Sequence, residues 1–73
     1  MRQLPEEAKD FGARLQHLRE KKRISRRLLS DFVDVSKNSI TRYERGERLP
    51  DIAIASRLAD YFGVSVDELI GKN

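Results

Sequence analysis

The sequence holds no cysteine, one histidine and two prolines among 73 residues. Without cysteine there is no disulfide framework and no thiolate chemistry, and a reducing setting, the cytoplasm, is expected. His17 stands on a basic stretch with no cysteine or clustered carboxylate beside it. It offers neither a general-base pair nor a metal-ligand spacing, and reads as a surface or phosphate-adjacent residue. A glycine-rich phosphate loop is also missing. The longest apolar runs are two to four residues, far short of a membrane span, and the charged N-terminus lacks the apolar core of a signal peptide. Strand-like alternation is absent throughout. A chain this short buries only about 60 % of its unfolded surface, which leaves little room for an enclosed substrate pocket. An enzyme, a cofactor, a metal and a small-molecule ligand are therefore not expected.

What the chain does have is unevenly placed charge. The formal net charge is +3. Residues 14 to 27 carry Arg14, Arg19, Lys21, Lys22, Arg23, Arg26 and Arg27 against Glu20 alone, a net of +6. Residues 37 to 48 add a net of +2, while residues 49 to 73 carry a net of −2. One side of the molecule should be basic and the other acidic, and a basic strip is the electrostatic footprint of a nucleic-acid binder.

The apolar residues repeat with helical spacing. Phe11, Leu15 and Leu18 share a face that Ala8 extends backwards, and the small Gly12 can let another backbone approach. Pro5 can open this helix, with Glu6 and Glu7 near its N-terminal dipole, and Lys21-Lys22-Arg23 closes it with positive charge. Asp51 caps a helix from Ile52 to Phe62 whose apolar face is Ile54, Ala55, Leu58, Ala59 and Phe62, stopped by Gly63. Ser65 and Glu68 have the spacing of a capping box, with Val64 and Leu69 as its staple, and Gly71 closes the last helix.

Between these lies Ser25 to Arg45, the sequence form of a helix-turn-helix. Ser25 caps a helix that turns Leu29 and Val33 inward. Asp34 sits at the turn, where a left-handed backbone is tolerated. Ser36 caps a second helix that buries Ile40 and Tyr43 and ends at Gly46. That leaves Lys37, Asn38, Thr41 and Arg42 outward. These side-chain types read base edges in the major groove: Lys and Arg on guanine, Asn on adenine, Thr through its hydroxyl and methyl. The expected architecture is all-α, five helices around one compact core.

The stretches Phe11-Gly12-Ala13-Arg14-Leu15, Ile24-Ser25, Val35-Ser36, Ile40-Thr41-Arg42-Tyr43-Glu44-Arg45-Gly46, Leu49-Pro50 and Leu58 to Leu69 together resemble the phage-repressor, Cro-like helix-turn-helix family of DNA-binding regulators. The resemblance covers about residues 11 to 71 and implies a lambda-repressor-like domain there, with residues 1 to 10 as an extension that can add a helical turn and 72 to 73 as a tail. It assigns base reading to Lys37, Asn38, Thr41 and Arg42. Ser36 and Ser39 fall where relatives touch phosphate or cap, and Arg45 where the loop nears the DNA backbone. It also implies an ion pair between Arg19 and Glu44.

Several positions depart from the family pattern. Arg26 stands where Gln is common; it can meet phosphate but cannot accept a hydrogen bond. Asp34 replaces the turn glycine and Ser30 a small alanine. Leu28 and Phe32 occupy positions that are normally polar, and four apart they form an apolar ridge. Either the N-terminal segment around Leu4 and Ala8 folds over this ridge, or it is a partner surface. The expected function is sequence-specific binding of double-stranded DNA by a bacterial or phage regulator, more often a repressor. Such proteins act as homodimers on palindromic sites, with recognition helices about 34 Å apart; with little chain beyond the last helix, the dimer is expected to form mainly on DNA. The alternatives are a protein-interaction module on the same fold, an antitoxin, or a restriction-modification controller.

Overall fold

The computed structural model describes residues 6–71. Within them the chain runs through α1 (Glu6–Lys21), α2 (Arg26–Val33), α3 (Lys37–Glu44), α4 (Ile52–Phe62) and α5 (Val66–Ile70). The all-α, five-helix reading matches this order, with no strand among the described residues. Pro5 lies outside them. The first helix is continuous from Glu6, so residues 6 to 10 belong to it, and Ala8 is already part of the core.

Each helix starts and stops for a local reason. The hydroxyl of Ser25 accepts from the backbone N–H of Leu28 at 3.0 Å, and that of Ser36 from Ser39 at 3.1 Å. The Asp51 carboxylate accepts from Ile54 at 2.9 Å. Ser65 and Glu68 close a reciprocal capping box, both bonds 2.9 Å. These contacts satisfy N–H groups that have no partner inside their own helix. Asp34 adopts the left-handed conformation at φ 59°, and its N–H returns to the Ser30 carbonyl.

Helix α1 ends at Lys21 with Arg19 and Lys21 in its last turn, as the basic Lys21-Lys22-Arg23 stretch implies, and the chain leaves it through a tight turn. Arg23 itself takes a left-handed backbone, φ 59°. The Ile24 N–H then reaches back to the Arg19 carbonyl at 3.4 Å, and the Ile24 side chain packs against the core. Seating Ile24 requires the turn, and no glycine is there to make it.

Phe11, Leu15, Leu29, Val33, Ile40, Tyr43, Leu58, Ala59 and Leu69 form the central cluster of the core, with Ala8 and Ala55 buried beside it. Phe11 and Tyr43 meet edge to face at 6.4 Å, a favoured aromatic geometry. The first helix packs on α3 and α5, whereas α2 lies between α3 and α4. Gly12 is buried where α1 crosses the end of α3. This arrangement holds α3 by one side only and leaves its other side to solvent. No helix among the described residues is long and apolar enough to cross a membrane.

Candidate nucleic-acid interface

On α3 the inward side chains Ile40 and Tyr43 are locked into the core, which fixes the rotation of the helix about its axis. Lys37, Asn38 and Arg42 are consequently exposed together on the opposite side, with Thr41 half-buried beside them. Thr41 turns its hydroxyl back to the Lys37 carbonyl at 3.1 Å. Ser36 is occupied by capping: it accepts from the Ser39 N–H and donates to the Ser39 hydroxyl at 3.0 Å. Arg45 is exposed after the helix, with Glu47 4.0 Å away as a loose partner.

The C-terminal end of α3 is held by charge. The Glu44 side chain is fully buried, 0 % exposed, and its Oε2 accepts from Arg19 Nε at 2.6 Å. Arg19 Nη2 reaches Oε1 at 3.2 Å, and Arg19 Nη1 bonds the Ile24 carbonyl at 2.8 Å. One arginine thus ties together α1, the α1–α2 loop and α3. The hydrogen bond to Glu44 raises the Arg19 guanidinium above its ordinary, already very basic range; burial opposes this, and the charges of Glu44 and Glu20 add to it.

Arg26 enters the same cluster, which sequence reasoning missed. Its Nε donates to Glu44 Oε1 at 2.9 Å. The signal that could have found it is a second cation at the start of α2, close in the fold to the Glu44 carboxylate that the resemblance already pairs with Arg19. Three further contacts had no sequence signal. Arg14 Nη1 approaches the Leu69 carbonyl at the end of α5 at 3.5 Å, and Phe32 stacks on Tyr61 of α4 at 4.9 Å, with Lys22 over the same Tyr61 ring. Ser30, in place of a small alanine, is buried with its hydroxyl donating to the Arg27 carbonyl at 2.6 Å.

Leu28 and Phe32 keep 42 % and 58 % of their surface exposed. Leu4 lies outside the described residues, and Ala8, buried in the core, does not cover them. His17 is exposed on α1, and no group of His, Asp or Glu among the described residues could hold a metal ion.

Residues 10–69 match the family model described as a helix-turn-helix domain. The chain belongs to this helix-turn-helix family. Similar helix-turn-helix proteins include the HTH-type transcriptional regulator AnsR of Bacillus subtilis, 37 % identical over 59 residues, covering 81 % of this chain and 51 % of AnsR. The SPbeta prophage-derived uncharacterized HTH-type transcriptional regulator YonR of the same organism is 33 % identical over 60 residues, covering 82 % of this chain and 56 % of YonR. The chain therefore spans about half the length of these curated relatives. Among solved structures, the restriction-modification controller protein C.AhdI of Aeromonas hydrophila superposes with a TM-score of 0.79 at 27 % identity, covering 85 % of this chain and 94 % of that one.

Proposed function

We propose that this helix-turn-helix chain binds double-stranded DNA sequence-specifically as a transcriptional regulator, a repressor that occupies a palindromic operator as a dimer. The carrying observation is the exposed set Lys37, Asn38 and Arg42 with Thr41 on α3, on the side away from Ile40 and Tyr43. A helix held this way can enter the major groove with donors toward base edges. Phosphate contacts from Arg26, Ser39, Arg45 and the basic strip, with Ser36 capping α3 and bonded to the Ser39 hydroxyl, would add affinity and salt dependence without sequence choice. The helix-turn-helix regulators that resemble the chain support this reading.

A second reading, a protein-interaction module, draws on the exposed Leu28 and Phe32. Apolar side chains at the surface of a small domain favour a partner when they are contiguous. Within the DNA-binding class, the likeness to a restriction-modification controller favours that role over an antitoxin. Selection of bound sequences from a random duplex library, with Arg42→Ala in parallel, tests these readings. A palindromic motif that changes in the variant is the expected result. No enrichment by a folded wild-type protein would overturn the regulator reading in favour of a docking partner.

A further inference from the structure

Arg19 and Arg26 share one buried carboxylate and use it differently. Arg19 has all three guanidinium nitrogens bonded inside the fold, and its side chain is 11 % exposed. Arg26 reaches Glu44 with Nε alone, and its side chain is 35 % exposed. Neither Arg26 Nη makes a hydrogen bond among the described residues. A guanidinium is planar, so fixing Nε fixes the direction of the N–H groups that remain. Two cations on one carboxylate leave a residual charge of +1, and the arginine nearer to water carries the unused donors. A planar pair of N–H donors with net positive charge matches two oxygens of one phosphate.

Resting on the DNA-binding reading above, we propose that Glu44 is a positioning residue for DNA as well as a structural one. Its Oε1 holds Arg26 so that the two Nη groups grip a single backbone phosphate as a pair. Glu44 never touches the DNA and acts on it through Arg26. The contact consequently depends on the shape of the side chain at position 26 and not only on its charge. A lysine there has one nitrogen, which cannot stand on Glu44 and at the outer position together.

The test is the salt dependence of binding to a mixed-sequence duplex of about 20 base pairs, where each phosphate contact contributes about 0.9 to the slope of log affinity against log salt. Arg26→Lys keeps the charge and should still lower the slope by about 0.9, with the melting curve confirming its fold. An unchanged slope in a folded variant, with wild-type binding intact, overturns this inference alone. Wild-type protein without salt-dependent binding overturns the DNA-binding reading and this inference with it. Arginine side-chain NMR on the wild-type protein decides the matter without any substitution. The Arg26 Nε–H should be protected with and without duplex, and its Nη protons only with it. Nη protons unaffected by duplex, or an Nε–H that leaves Glu44 on binding, would overturn the positioning role.

Discussion

A Cβ on Gly12 would stand 2.6 Å from the carbonyl oxygen of Glu44, and 2.5 Å from that of Tyr43. Both obstacles are backbone, so neither can swing aside. The close crossing of α1 over α3 therefore requires the absence of a side chain. Gly12→Ala is expected to destabilise the domain by about 2–3 kcal/mol, despite the better helix propensity of alanine, because overpacking against backbone forces the helices apart. Urea denaturation followed by circular dichroism measures this; stability equal to wild type would show that α1 can shift at no cost.

The Arg19–Glu44 pair leads to a non-additive expectation. Arg19→Met leaves a buried carboxylate with only Arg26 on it and should cost about 3 kcal/mol. Adding Glu44→Met should recover most of that loss, since removing both members of a buried pair is far cheaper than removing one. The residue of the loss reflects the Ile24 carbonyl, which Arg19 also satisfies. A double-mutant cycle in denaturant reads the coupling, and simple addition of the two single effects would contradict it.

For pH, the sign follows from the upward shift of Arg19. A group whose folded pKa is raised contributes fully below its unfolded value and loses that contribution only as pH rises through the folded one. For an arginine both values are strongly alkaline. Melting temperatures of wild type and Arg19→Met should therefore differ by a constant amount between about pH 6 and pH 9, and a gap that closes on raising the pH within this window would exclude the assignment.

Arg23 and Asp34 both sit at φ 59°. A non-glycine residue in that conformation costs about 1 kcal/mol, less for Asp than for Arg. Arg23→Gly is expected to gain about 0.5 kcal/mol after the larger unfolded-state entropy of glycine is subtracted. Asp34→Gly should gain less. Thermal melts of the two variants side by side give the ordering, and the reverse order would mean that Arg23 makes a compensating contact.

Leu28→Glu with Phe32→Glu separates surface from core. Both residues are exposed, and the apolar contact at stake within the fold is the Phe32–Tyr61 stack, worth about 1 kcal/mol. The double variant should melt within a few degrees of wild type while losing any self-association seen by sedimentation. Collapse of the fold would instead assign the ridge to internal packing.

Helix identities and ends were legible because they depend on neighbours in the chain. Ser25, Ser36, Asp51 and Ser65 each cap within three residues of themselves, and Leu29, Val33, Ile40 and Tyr43 follow from spacing alone. Arg23 was not legible. Its left-handed turn is imposed by the seating of Ile24 against residues far along the chain, and nothing in Lys21-Lys22-Arg23 marks it.

By itself, the order of residues determined five helices, their caps, the core-facing stripe and which side of α3 is polar, since all of these are set by periodicity and by hydrogen bonds that span three or four residues. Only the tertiary structure decided what meets across helices. It brought Arg26 onto Glu44 beside Arg19, put Gly12 under the end of α3, and laid Phe32 on Tyr61. Those pairings depend on the angles at which helices cross, and crossing angles come from the packing of the whole core, which no local pattern encodes.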